Sequence, residues 1–438
     1  MSKKWKCLIC GVSFDGDNPP GICPVCGAPA DQFVEVLEDT ITQKDTVDHN
    51  FLIIGNGAAG FYAADAIRMR NKDCNIKIIS SESYTSYYRP SLSDYLSNDN
   101  LDDNFYLAKK EWYEDNNIDL LLNTTVKDID PSNKSITLSN NSTLVYDKLI
   151  IANGSHNFIP LIPGNNKKGI FSLKDLKDAN NIKGYIKKCK NAVVIGGGLL
   201  GLEAAGELKK LGLNVTVVEF FKRLLPRQLD EKGAKILKEC VDNSGVNAIL
   251  DDSLSEIIGD SHIKSIKLKS GNIIDTDILL FSVGIRANKE LADQCGIKTD
   301  KAIVVNEKME TNIKDIYACG DVAEFNGRNY GNWSAAVKMG KIAGANAVGE
   351  NEVFKDFTSA IIFNSMGAKM FSCGDYGNSD EQLCYENSEK GFYKKLFFKN
   401  NMLIGAMMLG SISTSGKTIE AIKNNYTKDQ VLRENLIY

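Results

Sequence analysis

Two stretches of this chain set three glycines between an apolar run and a helical pattern. "FLIIGNGAAG" runs into Gly55, Gly57 and Gly60 and continues as "FYAADAIRMR"; 141 residues on, "NAVVIGGGLLGLEAAGELKKLG" repeats the arrangement with Gly196, Gly198 and Gly201. In each, the first glycine turns the chain tightly, the second lets backbone approach a pyrophosphate, and the third lets helix pack on strand. The helix then presents unpaired N–H groups and the positive end of its dipole to the phosphates. One such motif is weak evidence; two, each after a strand and before a helix, predict two dinucleotide sites on a duplicated unit. Each unit runs on into a second strand, "NIKIIS" and "NVTVVE". A carboxylate at the end of that strand accepts from ribose hydroxyls and repels a 2′-phosphate. Glu219 stands there in the second unit and favours NADH over NADPH, with Lys222 and Arg223 just beyond to soften the preference. Glu82 is its counterpart in the first unit.

The front of the chain is of another kind. "WKCLICGVSFDGDNPPGICPVCGAP" carries two C-x-x-C pairs, Cys7/Cys10 and Cys23/Cys26, each followed by a glycine. Four thiolates in two knuckles form a tetrahedral sulfur cage for zinc or for iron, and the spacing alone does not choose between them. The glycines allow a tight knuckle whose N–H groups point at sulfur. Residues 1–35 hold one small aromatic set, Trp5, Phe14 and Phe33. That is too little apolar surface to fold alone, so metal binding supplies most of the folding free energy of this head. Residues 36–49 are acidic and without period, and read as a linker. A random coil of that length reaches roughly 20 Å, enough to dock the head on its own body or on a neighbouring subunit.

Composition narrows the setting. At 438 residues the chain is too long for one domain. A net charge of −4 gives no reason to expect nucleic acid or an anionic membrane surface. The start "MSKKWKCLIC" has no apolar core, and no run long enough for a membrane span follows. The seven cysteines outside the head are scattered singly, which is no disulfide framework and fits a reducing compartment. A soluble cytoplasmic protein is expected. With three histidines and no paired carboxylates or Ser–His–Asp arrangement, no side chain stands out as catalytic; His156 reads as structural.

A further motif, "TNIKDIYACGDVAEF", places Asp321 after an apolar strand and a glycine. Together "IIGNGAAG", "LIIANGS", "VVIGGGLLGLEAA", "LLFSVGIRAN" and "IYACGDVAE" resemble, from about residue 50 to 435, the pyridine-nucleotide-dependent flavoprotein reductases of the glutathione-reductase-like fold. The resemblance implies an α/β fold class: two Rossmann-like domains, a small α+β C-terminal domain, and in front of them the rubredoxin-like metal knuckle. FAD is expected on residues 50–155 and 280–350, NADH on 156–279, and the C-terminal domain over 351–438. It further implies that Asp321 holds the ribityl chain and that Ala152, Gly154 and Gly284 line the crossings between the domains. The implied cofactor contacts also take in Ala58, Ala59, Val126, Leu199, Leu200, Glu203 and Gly320. More narrowly, "YYRPSLSDYL" and "GNWSAAVKMGKIAG" resemble NADH:rubredoxin reductases, which implies Arg89 beside the FAD and Trp333 near the flavin ring. Where some of these carry a lysine after L-S, this chain has Asp94.

Disulfide reductases of this fold place a cysteine pair against the flavin, and their peroxidase and oxidase relatives a single one. Residues 57–100 contain only Cys74, and "SESYTSYYRPS" contains none. The head itself, "WKCLICGVSFDGDNPPGICPVCGAPADQF", resembles the short rubredoxin module of rubrerythrins, which implies iron. The expectation is flavin-based chemistry that passes electrons from NADH through FAD to a fused Fe(Cys)4 centre. A redox protein acceptor follows: rubredoxin, rubrerythrin or a flavodiiron-type protein. A homodimer is left open. A reading of a different class makes the chain an NADH oxidase or flavin reductase carrying a structural zinc ribbon as a docking module.

Overall fold

A computed structural model of the chain describes residues 3–23, 25–36, 49–98, 105–356 and 360–438. Apart from its two ends, the expected linker lies outside the described residues. The chain has the expected mixed α/β fold. It opens with a three-stranded antiparallel sheet in which Lys3–Cys7 lies between Ser13–Gly16 and Phe33–Val36.

Two five-stranded parallel sheets follow, wound alike. In the first the spatial order is Ile316–Ala318, Lys148–Ile151, Asn50–Ile54, Asn75–Ile79, Ile118–Leu121; in the second it is Ile170–Ser172, Ile278–Phe281, Asn191–Ile195, Asn214–Val218, Asn247–Ile249. Their central strands are unbroken apolar runs because helices or loops cover both faces: Phe51 to Ile54 are all buried, as are Ala192 to Ile195. After its last edge strand each unit adds a three-stranded antiparallel flap, residues 126–145 and 254–275. The expected return to the first domain at residue 280 falls inside the strand Ile278–Phe281, so the chain leaves the second sheet two residues later than expected. The two crossings pair with each other, Ser155–Asn157 against Ile285–Ala287. His156 sits in this pair, its Nδ1 2.7 Å from Asn288 Oδ1, in keeping with a structural role.

The helix Trp333–Ala347 lies on the first glycine-turn helix, Ala58–Arg70, at backbone contact. A Cβ on Gly340 or Gly344 would stand 3.0 Å from the carbonyl carbon of Ala59 or Ala63. That closeness, set by glycine and alanine on both helices, fixes where Trp333 enters the site. The C-terminal domain is a five-stranded antiparallel sheet followed by helices Ser415–Lys423 and Lys428–Arg433. No helix among the described residues is long and apolar enough to cross a membrane.

Candidate functional site

The two glycine turns divide their work identically. A Cβ on Gly60 would collide with the Gly55 carbonyl, and one on Gly201 with the Gly196 carbonyl. Gly57 and Gly198, by contrast, cap their helices with extended backbone and no side-chain cap, and a Cβ there meets nothing closer than Arg89 at 3.9 Å and nothing within 4 Å, respectively. The second glycine of each turn therefore keeps an open cradle before uncapped helix N–H groups, the geometry a diphosphate requires.

Both cradles open on one cavity of about 2240 Å³. A drug-sized ligand fills roughly 300–1,000 Å³, so there is room for two dinucleotides. Of the residues singled out in the sequence, Gly55, Gly57, Ala58, Ala59, Glu82, Arg89, Val126, Ala152, Gly154, Gly196, Gly198, Leu199, Leu200, Glu203, Glu219, Gly284, Asp321 and Trp333 line it. Gly60, Gly201 and Gly320 do not. The first two serve strand–helix packing, and a Cβ on Gly320 would stand 2.7 Å from Ala59 Cβ.

The charged lining forms linked groups. Glu82 accepts from the Tyr87 hydroxyl at 2.7 Å and from the Arg89 guanidinium, and Arg89 also donates to the Lys174 carbonyl at 3.0 Å. Asp321 Oδ2 accepts from Ser155 Oγ at 2.8 Å and from Lys174 Nζ at 3.3 Å, while Lys174 also donates to Ser155 at 2.7 Å. Burial holds the Lys174 ammonium below its usual range, with Asp321 pulling the other way. The roles of Lys174 and Ser155 were not apparent from sequence: they lie 147 and 166 residues from Asp321, Lys174 belongs to no motif, and Ser155 only ends "LIIANGS". At the second turn the Glu219 carboxylate is buried and accepts from the N–H groups of Gly197 at 2.5 Å and Phe221 at 2.8 Å. Glu203 receives the Ser93 hydroxyl at 3.2 Å; burial, with Asp94 adding to it, pushes its carboxyl up to about 8.

The head closes the cavity on one side. Its four sulfurs lie within 4.8 Å of one another, with Cys7 and Cys26 3.7 Å apart and Cys10 and Cys23 3.6 Å apart. A tetrahedron with metal–sulfur bonds of about 2.3 Å has edges of about 3.8 Å, so the donor set fits one thiophilic ion. Four thiols so placed cannot all ionise unaided. Hydrogen bonds from Cys10 and its neighbours hold Cys7 down, while those with Cys23 and Cys10 push Cys10 and Cys26 up. The two knuckles match: Gly11 and Gly27 take left-handed φ of 76° and 70°, and their N–H groups close onto the carbonyls of Cys7 and Cys23. Those two amides close the turns onto oxygen, and the Cys10 amide bonds the Cys7 sulfur, as the sequence expectation has it for the first knuckle.

Cys10, Cys23 and Cys26 line the cavity; Cys7 lies behind. Phe14 of the head meets Tyr88 at 6.0 Å between ring centres, and Tyr88 meets Trp333 at 5.6 Å. Burial, with Cys23 and Cys10 nearby, raises the Tyr88 phenol above its usual range. The Trp333 indole N–H is buried without a hydrogen-bond partner among the described residues. No cysteine outside the cage lines the cavity among the described residues.

Comparison with known proteins agrees with this layout. A family model described as pyridine nucleotide-disulphide oxidoreductase matches residues 49–340; a rubredoxin NAD+ reductase C-terminal domain matches 362–426, and a rubrerythrin rubredoxin-like domain 5–34. The chain is 34% identical over 380 residues to an NADH-rubredoxin oxidoreductase of Clostridium acetobutylicum, an alignment covering 87% of this chain and 96% of that one. The solved structure of NADH:rubredoxin oxidoreductase from that organism superposes with a TM-score of 0.73 at 33% identity, covering 88% of this chain and 99% of the other. A nitrite reductase [NAD(P)H] of Bacillus subtilis is also 34% identical, over 85% of this chain, but the match spans only 47% of that longer protein.

Proposed function

The chain belongs to the pyridine nucleotide-disulphide oxidoreductase family, and we propose that it carries electrons from NADH through FAD to the iron of its own head, and on to a protein acceptor. The observation that carries this reading is shared space: Cys10, Cys23 and Cys26 wall the same cavity as Gly57, Asp321 and Trp333. Bound FAD supplies a hydride acceptor and the caged iron a one-electron relay, chemistry that no side chain here provides.

The side chains bind and orient. N–H groups at the start of Ala58–Arg70 would hold the FAD diphosphate with the Arg89 guanidinium beside the cofactor, and Asp321 would accept from the ribityl hydroxyls. Gly198 gives NADH its cradle, and Glu219 keeps a 2′-phosphate out. Glu203, with its carboxyl at about 8, is largely neutral at pH 7 and adds little charge between the two cradles. Phe14, Tyr88 and Trp333 form an aromatic row that runs from the head along the wall of the shared cavity. The acceptor is a redox protein such as a rubredoxin, a rubrerythrin or a flavodiiron-type protein. The cysteines, none disulfide-bonded, suit a soluble protein in a reducing cytoplasm.

Metal analysis tests this directly. One iron per chain with the red spectrum of a ferric tetrathiolate is expected. Colourless zinc in its place would refute the relay and leave the head as a structural knot on a flavin reductase.

A further inference from the structure

The head is locked to its own chain. Ile9, Val12, Val25 and Phe33 are buried in a cluster continuous with the strands of the first sheet. On the C-terminal domain one polar group carries the contact. Gln32 is 5% exposed; its Oε1 accepts from the Gly416 N–H at 2.8 Å and from the Ser415 hydroxyl at 3.3 Å. Gly416 is the second residue of helix Ser415–Lys423, whose N-cap, Thr414, offers no side-chain acceptor. N–H groups at a helix start need an acceptor, and here the head supplies it. A side chain at the same position would displace the head's contact, because a Cβ on Gly416 would stand 2.5 Å from Gln32 Oε1 and 3.2 Å from Leu8 Cδ1 and one of them must give way. Gln32 and Gly416 therefore form a hydrogen-bonded latch between two elements far apart in the chain.

We propose that the latched head closes, in cis, the face through which a separate one-electron carrier protein would approach Trp333, so that such a carrier is served only by the head's own iron. The inference rests on the proposed function and adds the latch and the exclusion to it. The excluded partner is a small protein with a metal centre near its surface. To reach Tyr88 and Trp333 it would need the volume that Phe14 and the two knuckles fill, and two folded bodies cannot share it. A tethered domain also competes at an effective concentration of about millimolar, which a free carrier at micromolar level does not overcome. The permitted exchange is one electron from ferrous cage to ferric carrier, with no bond or proton moved.

The full-length chain with FAD bound and zinc in its cage tests this, because zinc keeps the head folded but redox-silent. Free iron rubredoxin and NADH are added without oxygen, and bleaching of the added rubredoxin is followed. Zinc-loaded wild type should reduce it at least about tenfold more slowly than zinc-loaded Gly416→Val or Gln32→Ala, the change expected from losing a buried hydrogen-bonded contact. Ferricyanide, small enough to need no dock, should be reduced at the same rate by all three. If Gly416→Val does not fold, Gln32→Ala carries the comparison, since it deletes the acceptor without adding bulk. Equal rubredoxin rates in wild type and latch variants would overturn the proposal. The functional reading fails separately, through an iron-loaded wild type whose cage stays ferric under excess NADH.

Discussion

Replacing Gly57 and Gly60 by alanine, one at a time, separates a glycine kept for a cofactor from one kept for the fold. Gly57 has φ −80°, which alanine adopts freely, and its new Cβ would find Arg89 no nearer than 3.9 Å. The apoprotein should accept the change, gaining between zero and about 1 kcal/mol through the reduced freedom of the unfolded chain. Once FAD is added, the methyl group occupies the cradle where backbone approaches the diphosphate. An intrusion of that size costs about 1–3 kcal/mol, or roughly 5- to 150-fold in affinity. Gly60 behaves in the opposite way. Its Cβ would lie inside contact distance of the Gly55 carbonyl oxygen, 3.0 Å from the carbonyl carbon and 3.4 Å from Ile53 Cγ2. No rotamer relieves a clash with backbone, so the apoprotein should lose about 3 kcal/mol, the upper end for overpacking. For a domain of this size that lowers the melting temperature by roughly 6–12 °C. Circular dichroism melts of the apoproteins and FAD titrations followed by fluorescence quenching give the two readouts. A Gly57→Ala chain that binds FAD like wild type, or that melts as low as Gly60→Ala, would refute the division.

Three other perturbations probe the remaining parts. Because the folded Glu203 carboxyl sits near 8 while an unfolded one titrates at about 4.3, the folded chain retains a proton that the unfolded chain releases. Apoprotein stability should therefore decline between these values and level off above, and urea midpoints of Glu203→Gln should lack the decline. Glu219→Gln keeps the shape of the second turn but removes the charge facing a 2′-phosphate; the kcat/KM ratio for NADPH over NADH should rise by about tenfold or more. Cys10→Ser leaves three thiols in a head whose folding leans on a metal contribution of about 10–16 kcal/mol in comparable knots. Limited proteolysis should then remove the head while residues 49–438 stay intact, and metal analysis should show the loss.

Both cradles, the Glu219 carboxylate and the cage were legible in the sequence, because each is local: a few residues whose spacing states its geometry. The order of the motif gave Gly57 to the cofactor and Gly60 to packing, and the position of the Gly55 carbonyl supplies the physical reason for the second. The Ser155–Lys174–Asp321 group was invisible because three distant segments meet only when the sheets close. Glu82 could be placed at a strand end by pattern, but its engagement with Tyr87 and Arg89 depends on how the "YYRP" loop folds back. The docking of the head was open for a similar reason. Gln32 is an unremarkable polar residue in the sequence, and its meaning comes from an uncapped helix nearly four hundred residues away.

The most direct measurement is an anaerobic NADH titration of the iron-loaded, full-length chain followed by visible absorption. Flavin and ferric bands should bleach together, with an endpoint near 1.5 NADH per chain, two electrons for the flavin and one for the iron. An endpoint near one NADH per chain, with the ferric band intact beside a bleached flavin, would contradict electron transfer into the head.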